Sequence, residues 1–160
     1  MRNFLKNFTL GVIVVLAALA CAGGASARQQ VVSFDEVQGK VWMLVEVKTD
    51  AGSIMIKRLE PADGSDTYTL QADAEQISGK AAPNRYRAPY TLGEEQAISF
   101  QPIAGTLMIS IGNPEGLTER EYYDYLEGVY RWTVSGGVLE LHTRTQDGAE
   151  AVLIFSIEAH

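Results

Sequence analysis

The chain has 160 residues, enough for one hydrophobic core and not comfortably for two. Its 13 basic and 20 acidic residues give a net charge of −7, which repels phosphate backbones and anionic membrane surfaces, so nucleic acid is not an expected partner. A single cysteine, Cys21, excludes an internal disulfide framework and a thiolate metal site.

Arg2 and Lys6 precede an almost wholly apolar run from Phe8 to Ala22, and Ala25-Ser26-Ala27 has the small-residue form of a cleavage site. That order reads as a secretory signal over residues 1–27. The apolar run, about 15 residues, falls short of the roughly 20 that span a bilayer. Cys21 follows Ala17-Ala18-Leu19-Ala20 in a context like a relaxed bacterial lipobox, so lipidation at Cys21 and cleavage after Ala27 both stay open. Loss of Arg2 and Lys6 takes the net charge from −7 to −9. The expected location is the bacterial envelope, periplasmic or tethered, with Cys21 the one expected route to the membrane.

Residues 28–38 form a lead, either a tether or a first edge strand, before a single domain over 39–158. Lys40 to Lys48 is a β-branched and aromatic run that predicts a strand with Trp42 and Leu44 on one face. Thr49-Asp50-Ala51-Gly52 turns the chain back into a second strand from Ser53 to Leu59. Thr67 to Ala72 alternates, with Tyr68, Leu70 and Ala72 on the buried face. The preceding Asp63-Gly64-Ser65-Asp66 is too short for a calcium loop and lacks its downstream glutamate, so it reads as a polar turn.

From Gly79 to Pro89 the glycine, prolines and asparagine predict a loop, in which Lys80, Arg85 and Arg87 alternate with Tyr86 and Tyr90. A turn at Gly93-Glu94-Glu95 leads to a strand over Gln96 to Gln101 with Ile98 and Phe100 facing one way. Thr106 to Ile111 predicts another, with Leu107, Ile109 and Ile111 alternating against Met108 and Ser110. Thr118 and Glu121 have the spacing of a capping box, and Tyr122, Tyr125, Leu126 and Val129 form the apolar stripe of a helix that Gly128 ends. Acidic Glu119 and Glu121 suit the positive end of that helix, and with Asp124 and Glu127 they read as a solvated face. Ser135-Gly136-Gly137 and Gln146-Asp147-Gly148 join three closing strands, Tyr130 to Val134, Val138 to Arg144 and Ala149 to Ile157. The fold class is therefore mainly β (α+β): an antiparallel curled sheet or half-barrel of about eight strands with one helix packed against it.

Four stretches resemble the META/HslJ family of bacterial envelope and stress-associated domains. Gly39 to Val45 is similar to the family's opening G-x-W-x-L-V strand, with one extra residue; Gly79 to Asn84 with Tyr86 and Tyr90 is similar to its G-x-x-G-C-N-x-Y-x-x-x-Y stretch. Thr106 to Ser110 corresponds to T-R-M-A-C, and Glu119 to Leu126 to the E-x-x-[YF]-x-x-x-L helix. Pro83 and Ser110 stand where the family has cysteines, so the resemblance implies that the two positions are neighbours and were lost as a pair. It further implies a β-rich envelope domain associated with stress tolerance, with no agreed molecular activity.

No nucleophile elbow, phosphate-cradling loop or H-x-H spacing occurs, and His142 and His160 have no nucleophile motif beside them. No enzymatic activity and no cofactor or metal are expected. The candidate binding residues are Lys80, Asn84, Arg85, Tyr86, Arg87 and Tyr90, with Cys21 as the lipidation candidate. Arg forks and Tyr faces suit an anionic or carbohydrate-like ligand or the acidic patch of an envelope protein. Against that stands a loop held by Asn84 and Tyr86 while the cations sit in water. A different class of function is a lipocalin-like barrel carrying a small apolar ligand, which needs an open interior rather than one filled by Trp42, Tyr122, Leu126 and Phe155.

Overall fold

In a computed structural model, residues 32–56, 68–81, 83–108 and 116–157 are described. The predicted signal, Cys21, the Asp63–Asp66 turn, Ser110 and His160 lie outside them.

Strand β1 (Val41–Thr49) turns Trp42, Leu44 and Val47 inward. A bulge between Leu44 and Glu46 adds a residue, which moves the buried position from an even to an odd number along the strand. β1 pairs with β2 (Gly52–Met55), with β3 (Thr69–Ala72) and, through Leu44 opposite Phe155, with β10 (Glu150–Ser156). Tyr68, Leu70 and Ala72 are buried and Gln71 is exposed, as the alternation requires, but Thr69 is buried as well, its hydroxyl accepting from the Lys80 N–H at 3.0 Å.

The remaining strands are β4 (Gln76–Ala81), β5 (Asn84–Leu92), β6 (Ile98–Phe100), β7 (Ala104–Gly105), β8 (Val129–Ser135) and β9 (Val138–Arg144). Eight form a continuous antiparallel path, β6-β5-β4-β3-β1-β10-β9-β8, with β2 and β7 attached beside it. An antiparallel bridge between Ala97 and Arg131 brings the two ends together, so the curled sheet is a nearly closed barrel.

Helix α1 (Glu119–Glu127) begins at the predicted capping box and buries Tyr122 and Leu126. Gly128 ends it because the chain passes directly over β9, where a Cβ would lie 2.1 Å from the Arg144 carbonyl oxygen. Trp42, Tyr122, Leu126 and Phe155, the side chains expected to fill the interior, each have no exposed surface.

Three expectations are corrected. In the described part of the lead, residues 32–38, there is neither tether nor strand: Phe34–Glu36 is a 3-10 turn capped by Ser33, and Phe34 packs edge-on against Trp132 with ring centres 4.9 Å apart. Val37 is also buried, and its carbonyl accepts from the Trp42 indole at 2.9 Å. The predicted loop from Gly79 to Pro89 is instead the β4–β5 hairpin. Its apparent breakers have ladder roles: Gly79 lies opposite Tyr86, and Pro89 contributes its carbonyl, accepting from the Gln101 N–H at 2.8 Å. Finally, residues 106–108 are not a strand, since Leu107 is fully exposed and the ladder with β5 has ended at Gly105.

Candidate functional site

The pleat of β5 separates residues that look interleaved in sequence. Asn84, Tyr86 and Ala88 face inward and are buried, whereas Arg85, Arg87 and Pro89 face solvent. Across the hairpin Lys80 lies directly opposite Arg85, and Ser78 opposite Arg87. Three cations therefore share one outer face, while the tyrosines lie on the other. None of the three makes an ion pair among the described residues. Like charges directly opposite each other on a sheet repel, so the Lys80–Arg85 pair is a local cost to stability. A shallow basin of about 400 Å³ lies over this face, lined by Gln76, Ser78, Arg85, Arg87, Ala104 and Thr106.

Tyr86, Tyr90 and Asn84 are committed to the fold. The Tyr86 hydroxyl donates to the Thr69 carbonyl at 2.9 Å and lies 2.9 Å from the Tyr122 hydroxyl on α1. Burial raises both phenols above their ordinary range, and in Tyr122 the neighbouring Tyr86 adds to it. Tyr68 donates to the Leu117 carbonyl at 2.7 Å, and burial, with the nearby Glu119 and Glu121 carboxylates, pushes it up to about 12. Tyr90 accepts from Gln38 at 3.0 Å and donates to the Asp73 carbonyl at 2.7 Å, latching the lead to the sheet.

Asn84 saturates its amide. Nδ2 donates to the Met108 carbonyl at 3.1 Å and to Glu119 Oε2 at 2.9 Å, while Oδ1 accepts from the Met108 N–H at 2.7 Å and from the Thr106 hydroxyl at 2.8 Å. One side chain thus ties β5, the segment after β7 and the first turn of α1 together. It also makes the Gly79–Asn84 and Thr106–Met108 stretches neighbours, although the Pro83–Ser110 relation itself falls outside the described residues.

Sequence reasoning missed a second feature. Between the segment 103–108 and α1 lies an open cleft of about 740 Å³, with Ile103, Leu107 and Met108 on one side and Glu119, Arg120 and Tyr123 on the other. The Tyr123 hydroxyl is buried there, facing the Glu119 carboxylate. Burial and the Glu119 carboxylate raise its pKa above the ordinary phenol range. Gly105 was the available signal, because a Cβ there would lie 3.2 Å from the Tyr123 oxygen. Among the described residues no three His, Cys, Asp or Glu side chains gather as a metal set.

Residues 35–155 match the family described as META domain. Two solved structures share the fold. The NMR structure of a protein from Burkholderia xenovorans superposes with a TM-score of 0.57 at 23% identity, covering 79% of this chain and 86% of that one. The crystal structure of a DUF4847 family protein from Bacteroides vulgatus gives a TM-score of 0.52 at 8% identity, covering 79% and 98%. No curated protein matches the chain.

Proposed function

The chain belongs to the META domain family, and on that premise we propose that it is an exported, non-enzymatic accessory domain of the bacterial envelope, serving stress tolerance by binding an anionic partner. The observation that carries the reading is the outer face of the β4–β5 hairpin: Lys80, Arg85 and Arg87 stand together, without ion pairs among the described residues, on a protein of net charge −7. A retained repulsion with no counter-charge among the described residues suits an external one. Export is supported by the positive, apolar and small-residue order of residues 1–27.

The lipocalin-like alternative has less support, because Trp42, Tyr122, Leu126 and Phe155 occupy the barrel interior with no exposed surface. The inner tyrosines are hydrogen-bonded and their phenols raised, which suits a packed core and not an acid–base site.

The test is capture of partners from envelope extract by the immobilised mature domain. Arg85→Ala combined with Arg87→Ala is expected to abolish salt-sensitive capture while the circular dichroism spectrum stays unchanged. Undiminished capture by that variant would reject the assignment of the face.

A further inference from the structure

β7 is two residues long and pairs with β5 alone among the described residues. Arg87 lies opposite Ala104, Tyr86 opposite Gly105, and the Thr106 N–H donates to the Arg85 carbonyl at 3.0 Å. Antiparallel pairs alternate between bonded and non-bonded, so the Thr106 N–H on the Arg85 carbonyl, with the Arg85 N–H turned to the Thr106 hydroxyl, makes Tyr86 and Gly105 a non-bonded pair. The N–H and C=O of Gly105 consequently point away from β5, and no described strand receives them. Free edges are ordinarily shielded by lysines, prolines or a covering element. Ile103 to Met108 contains no charge and no proline, with Ala104 to Thr106 exposed, Leu107 fully so and Met108 60% exposed.

The two clefts flank this edge and share Ala104, Gly105 and Thr106. Their chemistries differ. On the outer side are the Arg85 and Arg87 guanidiniums; on the helix side are Ile103, Leu107, Met108 and the buried Tyr123 hydroxyl. An extended strand presents alternate side chains to opposite faces, and same-face residues repeat about every 6.6 Å, the spacing of Arg85 and Arg87 along β5.

We propose that the free edge of β7 accepts an extended segment of a partner protein in which acidic residues alternate with apolar ones. Its backbone would pair with Gly105. Its acidic side chains would meet Arg85 and Arg87 across the short side chains of Ala104 and Thr106, and its apolar ones would enter the cleft beside Tyr123. The inference rests on the binding role proposed above and specifies the form of the partner. An anionic membrane fits less well: three cations, at about 1 kcal/mol each near such a surface, oppose the acidic remainder of the chain.

The probes are a short peptide alternating glutamate and valine, a block isomer of the same composition, and one alternating lysine and valine. The first is expected to bind at least tenfold more tightly than the block isomer and to slow hydrogen exchange at the Gly105 amide. Arg85→Glu with Arg87→Glu is expected to reverse the preference to the lysine peptide, a change that misfolding would not produce. Equal binding of the block isomer, unaltered exchange at Gly105, binding to phosphatidylglycerol vesicles in preference to the peptide, or a dimer formed by the chain alone through this edge would each overturn strand addition. If no peptide binds yet envelope capture still depends on Arg85 and Arg87, the inference falls and the binding role stands. If capture is independent of both arginines, both fall.

Discussion

The phenolic oxygens of Tyr86 and Tyr122 lie 2.9 Å apart inside the barrel, joining β5 to α1 across 36 positions of sequence. The Tyr86 proton is committed to the Thr69 carbonyl, so Tyr122 is the donor of the pair. Tyr86→Phe keeps the ring but removes an acceptor and a donor at once, leaving Thr69 with the longer 3.5 Å contact to Tyr122. It should cost about 1–2 kcal/mol in urea unfolding, and Tyr122→Phe about 1 kcal/mol. A change below about 0.3 kcal/mol in both would show that the hydroxyl chain contributes nothing net.

The same tyrosines set the alkaline limit. Each has a folded pKa raised above its unfolded value of 10.0, with Tyr68 near 12 and Tyr86 and Tyr122 raised further by burial. The folded state therefore holds protons that the unfolded chain releases, so this contribution is complete below pH 10 and declines as pH rises through 10 to 12. The share of the 295 nm tyrosinate absorbance that belongs to Tyr68, Tyr86 and Tyr122 is expected to appear together with loss of the near-ultraviolet circular dichroism, not before it. Ionisation of all seven tyrosines near pH 10 in a still-folded protein would contradict the arrangement.

Gly79 is required by close approach, not by a turn. A Cβ there would lie 1.9 Å from the Thr69 carbonyl oxygen and 2.9 Å from Tyr86 Cε1, so β3 and β4 would have to separate. Gly79→Ala should lose about 3 kcal/mol or more, measured by chemical denaturation. Gly93→Ala meets only the Ala97 methyl, at 3.1 Å, and should cost much less.

Asn84→Asp places a second carboxylate against Glu119, whose Oε2 now accepts from the Asn84 amide at 2.9 Å. At neutral pH the variant should be less stable than wild type by about 3 kcal/mol, from the lost donor and the like charge. Lowering the pH to about 4 should recover part of the loss, because protonating either carboxyl restores a donor. Thermal midpoints at the two pH values decide it.

Lys80→Glu tests whether the cationic face costs stability. The glutamate would stand directly opposite Arg85, replacing a repulsive cross-strand pair with an attractive one. A gain of about 0.5 kcal/mol in stability is expected, together with weaker capture of the anionic partner. Lower stability in this variant would mean that Lys80 supports the hairpin through its aliphatic stem.

Legibility followed the range of the interactions. Alternation placed β1, β3, β8, β9 and β10, and the Thr118–Glu121 spacing placed the start of α1 where its capping box forms. The β4–β5 hairpin escaped because Gly79 and Pro89 signal loops locally, while their actual partners, Thr69 and Gln101, lie elsewhere in the chain. Thr106 to Met108 erred in the opposite direction: the alternation is present, but Asn84 takes over the backbone of Met108 and the ladder stops. Of the candidate residues, Asn84, Tyr86 and Tyr90 proved to be internal ties, whereas Lys80, Arg85 and Arg87 share an outer face.

By itself the amino-acid order determined the class of the fold, the helix α1 with its cap, the closing meander and the acidic balance, since each depends on periodicity or composition read within a few residues. Only the tertiary structure decided that tyrosines and arginines alternating along β5 part to opposite faces, and that Ala97 meets Arg131 to close the barrel. It also decided that β7, paired with β5 alone among the described residues, lies between two clefts. Those outcomes depend on which distant strand supplies the neighbouring hydrogen bonds, and local periodicity carries no information about that pairing.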